Sequence, residues 1–156
     1  MENAVKIKSA KGFSLIEILI VIAIMAILLS IAAPNFNAWR QNRNLNEAVG
    51  ALMGDLNFAR QSAITQNVNY KVTFNNTANT YTVQGGTYNA TKNLSNFGSG
   101  TFIYSQNFNS STVTFQPRGT LSGVGGTVSL KNSRNSCINI VVNTMGRVRK
   151  DIQQIN

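Results

Sequence analysis

At 156 residues the chain is long enough for one ordinary domain, and 14 Lys and Arg against 5 Asp and Glu give it a formal charge of +9. Only 12% of the residues are charged, against about 25% in average soluble domains, so the basic balance comes from missing acids rather than added bases. With no His, one Cys, and carboxylates only at Glu2, Glu17, Glu47, Asp55 and Asp151, the composition excludes a Ser-His-Asp triad, His-Cys or multi-carboxylate metal sites and an internal disulfide.

A paired-carboxylate acid/base site is equally disfavoured, because the acids are scattered. Residues 56–150 contain no carboxylate and nine Lys or Arg. The expectation is a non-enzymatic protein, without cofactor or metal, whose exposed surface attracts anions.

The chain begins with a polar stretch carrying Lys6, Lys8 and Lys11, then Gly12 and Phe13-Ser14-Leu15-Ile16-Glu17. An apolar run over residues 18–33 follows, broken only by Ser30, and no further charge appears before Arg40. As a helix, the charge-free residues 18–39 would span about 33 Å, enough for a hydrocarbon core of about 30 Å. A soluble core helix would show a recurring polar face, and this run shows none.

Three readings compete for the segment. A cleaved secretory signal would use Ser30 and Ala32 as its small-residue cut site, but its apolar stretch is long and contains Glu17. A plain membrane anchor leaves Glu17 without a purpose, although a carboxylate deep in the bilayer costs up to about 3 kcal/mol. In the third reading, Lys11-Gly12-Phe13-Ser14-Leu15-Ile16-Glu17 resembles the prepilin leader of type IV pilins and type II secretion pseudopilins. The resemblance implies cleavage between Gly12 and Phe13 by a prepilin peptidase on the cytoplasmic face, followed by methylation of Phe13. It also implies single-pass residence in the inner membrane before assembly with other pilins into a filament. The flanking charges, three Lys before the span and Arg40 and Arg43 after it, fix orientation only weakly.

Beyond the membrane segment, Pro34 removes a backbone donor and predicts a kink. Leu45, Val49, Leu52, Leu56, Ala59 and Ala63 recur at steps of four and three, which marks one apolar stripe on a helix. Gly50 and Gly54 interrupt it. The spacing predicts one long helix over residues 13–66, with Trp39 at the membrane boundary.

After Gln66 the period changes to two. Tyr70, Val72 and Phe74 alternate with Lys71 and Thr73, and Tyr81 and Val83 repeat the pattern. Further strands are predicted at 101–104, 112–115, 127–130 and 137–142, while 85–100 reads as loose. The four tyrosines at 70, 81, 88 and 104 are candidates to stack on single-stranded bases but read better as half-buried strand positions, and Cys137 reads as buried and inert. A helix followed only by strands predicts an α+β fold, the helix laid across an antiparallel sheet. The expected organisation is a leader at 1–12, a transmembrane and assembly helix at 13–39, and a β-rich head at 40–156 that includes the helix's second half.

Several head segments narrow the resemblance. Asn57-Phe58-Ala59-Arg60-Gln61-Ser62-Ala63-Ile64 is similar to a helical segment of the GspH/FimT family of minor pilins and pseudopilins, with Ser62 where an acid is common. Phe115-Gln116-Pro117-Arg118-Gly119 resembles that family's F-x-P-x-G turn. Residues 138–142 with Gly146-Arg147-Val148-Arg149 resemble its last strands.

The resemblance gives Glu17 an assembly role, neutralising the positive amine of a neighbouring subunit's Phe13. Both charges are costly alone in an apolar bundle and tolerable as a pair. It also gives the G-R-x-R at 146–149 a part in binding DNA for uptake in transformation. From the residues alone, Arg147 and Arg149 at i and i+2 on a strand share a face, where an anion would relieve their repulsion. The alternative is a charged edge strand that resists edge-to-edge pairing. Lys150, and by extension Arg118, Lys131 and Arg134, are candidate members of the same patch. Two functions stay open: a minor pilin with a DNA-contacting head, and a type II secretion pseudopilin H. A third, a secreted binding domain released after Ala32, follows from the signal-peptide reading.

Overall fold

The computed structural model describes residues 12–98 and 100–153, with the side chains of 31–35 and 152–153 outside the description. The expected leader therefore lies, except for Gly12, outside the described residues. Gly12, Phe13 and Ser14 are exposed and precede the first helix, α1 (Leu15–Gln66). The Ser14 carbonyl accepts from the amides of Glu17 (3.1 Å) and Ile18 (3.2 Å), which starts the helix there. Ser14 and Glu17 thus have the spacing of a capping box, with a carboxylate in the first turn where the helix dipole favours it.

The described chain divides into two units between Asn37 and Ala38. In the first, every large apolar side chain described from Leu15 to Leu29 is exposed. Among the described residues no helix is long and apolar enough to cross a membrane. The span expected at 13–39 runs over positions 31–35, whose side chains are not described, and the Pro34 kink falls there too.

In the second unit the predicted stripe holds: Leu45, Val49, Leu52, Leu56, Ala59 and Ala63 are all buried, and Ala48 joins them. They share one core with residues from two four-stranded antiparallel sheets. The first sheet comprises β1 (Tyr70–Asn75), β2 (Thr80–Gly85), β3 (Tyr88–Asn93) and β5 (Thr112–Phe115), in the order β3-β2-β1-β5. The second comprises β4 (Phe102–Gln106), β6 (Gly126–Lys131), β7 (Cys137–Val142) and β8 (Val148–Gln153), in the order β4-β6-β7-β8. The fold is α+β, with two sheets where one was expected.

The segment read as loose contains β3, the edge of the first sheet, and a short 3-10 turn at Leu94–Phe97. Alternation in β3 is masked because its half-buried positions are Tyr88, Ala90 and Lys92, only one of them a large apolar residue. Lys92 is held there by Asp55: its Nζ lies 2.7 Å from Asp55 Oδ1, and the Tyr81 hydroxyl donates to Asp55 Oδ2 at 2.6 Å. Burial, then this hydrogen bond and the carboxylate charge, hold the Tyr81 hydroxyl far above the usual tyrosine range. Asp55, on the helix, thereby ties α1 to β2 and β3.

Candidate functional site

The candidate cations lie on the second sheet, in its turns and in the turn that follows β5. Between β7 and β8, the amide of Gly146 donates to the Asn143 carbonyl (2.8 Å) and that of Asn143 to the Arg147 carbonyl (3.1 Å). This is a three-residue hairpin loop built on a β-turn, with Gly146 at φ 74 in the left-handed region such a loop requires. The Asn143 side chain accepts from the Arg147 amide at 2.9 Å and fixes the start of β8.

The turn at 116–120 repeats this construction. Gly119 (φ 79) donates to Gln116, and Gln116 donates to Thr120, both at 2.8 Å. The two turns touch, because a Cβ at Gly146 would run into the Gly119 carbonyl oxygen. That oxygen also accepts from Arg60 Nε at 2.9 Å, and the Leu121 amide donates to the Thr144 carbonyl at 2.9 Å. Arg60, which the sequence marks only as part of a helical family segment, is therefore the post that holds both turns to the helix. Arg118 sits exposed in the first turn, beside the second.

β8 pairs with β7 so that Arg149 lies opposite Val141 and Lys150 opposite Ile140. Ile140 is fully buried and Val141 is not, so Arg149 stands on the outer face and Lys150 on the inner. Arg147 and Arg149, both exposed, line one concavity of about 290 Å³ with Val141 and Asn143. Lys150 is directed elsewhere: its Nζ donates to Asn46 Oδ1 on α1 at 2.6 Å.

The structure thus brings Arg147 and Arg149 together, with Arg118 on the adjoining turn, and separates the other candidates. Lys131 lies at the end of β6 paired with Cys137, the opposite end of β7 from the Arg147 turn. Arg134 lies in the turn that follows Lys131, so neither extends the patch as expected. Four residues of strand separate the levels of Cys137 and Val141, about 14 Å. Lys131 instead places Nζ 4.6 Å from the Tyr104 ring centroid.

Asp151, just past the long acid-free stretch, aligns with Asn139 on the same strand face as Arg149. Among the described residues no ion pair joins it to either arginine, the pairs being Arg43–Glu47 and Lys92–Asp55. Cys137 is buried, and burial raises its thiol pKa against the opposing pull of Lys131.

Comparison with known proteins identifies the framework. A family model described as Type II transport protein GspH matches residues 48–146, and one described as a prokaryotic N-terminal methylation motif matches residues 7–33. Among solved structures, the minor pseudopilin EpsH of the Vibrio cholerae type 2 secretion system aligns with a TM-score of 0.57 at 10% identity, covering 72% of this chain and 99% of its own. The type IV minor pilin FimU of Pseudomonas aeruginosa aligns with a TM-score of 0.59 at 13% identity, covering 74% and 97%. These likenesses are of fold. The type IV wide pilus major component PilA4 of Thermus thermophilus is 51% identical over 27% of this chain and 37% of its own length, so the chain matches little more than a third of that relative. The GspH match stops at Gly146, one residue before the arginine pair. With most of its head matched and the methylation motif at its start, the chain belongs to the GspH family of type IV pilin-like proteins.

Proposed function

We propose that this chain is a minor pilin of a type IV filament whose head contacts DNA through its phosphates. In this reading the peptidase cuts between Gly12 and Phe13, Phe13 is methylated, and residues 13–39 hold the protein in the inner membrane until it enters the filament. Glu17 pairs with the amine of a neighbouring subunit. The observation that carries the DNA contact is the concavity lined by both arginines, with no ion pair to either among the described residues. Phosphate suits guanidinium geometry, and its binding releases counterions.

The test is salt-dependent binding of duplex DNA by the full chain in nonionic detergent. Two phosphate contacts give a log–log slope near −1.8, at about −0.9 each. Arg147→Gln with Arg149→Gln should flatten the slope by that amount and weaken binding to all sequences alike. Lys71→Gln, on the outer face of the first sheet, should change it far less than either single arginine variant. Equal losses from Lys71→Gln and Arg147→Gln would reduce the pair to ordinary surface charge.

The second reading, a type II secretion pseudopilin H, is favoured by the description of the family model, while the fold is shared with EpsH and FimU alike. It expects the paired arginine substitutions to impair secretion rather than DNA binding.

A further inference from the structure

The outer face of the β4-β6-β7-β8 sheet continues from the arginine pair to two exposed aromatic rings. Register carries this face from Arg149 to Val141, through Asn139 and Ser129, whose side chains bond at 2.7 Å, to Lys131 opposite Phe102. At the β4 edge the register slips between Ile103 and Ser105, leaving Tyr104 as the extra residue. Such a bulge re-aims a side chain, and here it sets the Tyr104 ring against Lys131 Nζ. Tyr104 is 55% exposed and Phe102 38% exposed, whereas Ile103 between them is buried. The tyrosine expected to be half-buried is thus an open ring with a cation on it.

We propose that this face is a track for single-stranded DNA, its phosphates anchored at Arg147 and Arg149 and its bases stacked on Tyr104 and Phe102. The proposal rests on the reading of the arginine pair as a phosphate site. Aromatic rings accept any base, because every base has a π face, and Lys131 adds positive charge beside the stack. Against three cations at the two ends stands one carboxylate, Asp151, on the β8 edge. The ends lie roughly 15–20 Å apart by strand spacing and rise, a span that suits a site of about four nucleotides or more. A duplex keeps its base faces stacked inside and has nothing to lay on Tyr104.

The experiment compares one labelled mixed-sequence strand with its own duplex, both titrated with the full chain in nonionic detergent. Phe102→Ala with Tyr104→Ala should weaken single-strand binding about fivefold or more, and duplex binding less than about twofold. Equal losses on both nucleic acids, or none on either, overturn the track. Arg147→Gln with Arg149→Gln should weaken both. If that variant alone loses affinity, the phosphate site stands and the track falls; if it loses none, the phosphate reading fails and takes the track with it. Tyr104→Trp keeps a stacking face, so it should retain single-strand affinity and show quenching beyond that of wild type when the strand binds. Unquenched fluorescence at saturation overturns the proposal.

Discussion

The two ends of α1 have the same secondary structure and opposite relations to their surroundings. From Leu15 to Leu29 its apolar side chains point outward on all sides and remain exposed, while between Leu45 and Ala63 one stripe of them is buried in the head and Phe58, off the stripe, stays exposed. Amphipathicity makes the difference. A stripe is satisfied by the protein's own sheets, whereas an all-round apolar surface needs lipid or other chains to cover it. The head half carries its own stabilising contacts, and the other half is built for surroundings that the folded head does not supply.

The largest effect that tests this contrast is a cavity. Leu56→Ala should destabilise the head by about 2–5 kcal/mol, read by denaturant unfolding, while Ile22→Ala should change the same measurement by less than about 0.5 kcal/mol. Comparable losses would mean that the apolar half also supports the head.

Next in size is the polar tie between helix and first sheet. Tyr81→Phe removes a hydrogen bond to a charged group and should cost about 1.5–3 kcal/mol. The folded state holds the Tyr81 proton more tightly than the unfolded chain, so this contribution is complete below about pH 10 and falls as pH rises above it. Tyr81→Phe should flatten the alkaline limb of the stability curve, and an unchanged limb would assign that limb to other groups.

Smaller, and opposite in sign, are the helix glycines. A Cβ at Gly50 or Gly54 meets nothing within 4 Å, and both positions are exposed. Gly50→Ala and Gly54→Ala should each stabilise the head by about 1 kcal/mol in thermal or denaturant melts. If stability rises but recovery in sheared filaments falls, the glycines serve close packing against neighbouring subunits.

The smallest expected effect on the head belongs to Glu17. Glu17→Ala should leave head unfolding and membrane insertion unchanged and reduce recovery in filaments. Normal recovery would remove Glu17 from assembly.

Much of this architecture was legible in the sequence because period and burial coincide. The helix stripe is fully buried, β5 and β7 begin and end where alternation predicts, and Gly119 and Gly146 occupy turn positions that need positive φ. β3 was hidden because its inward residues include Lys92, whose place depends on a partner distant in sequence, Asp55. The division into two sheets was hidden too, because strand order rests on pairings such as β1 with β5, across more than a whole strand-turn-strand unit.

The candidate site divides along the same line. Sequence alone determined that Arg147 and Arg149 stand two apart on one side of the chain as it enters a strand, with Val148 on the other, and that acids are missing from the long stretch before them, since these are properties of a period of two and of composition. Tertiary structure decided the rest. Lys150 turns to Asn46, Lys131 pairs with Tyr104, Arg134 goes to the far turn, and Arg60 and Arg118 join the near one. Register, a bulge and the contact of two turns set those positions, and each depends on residues brought together only when the chain closes on its core.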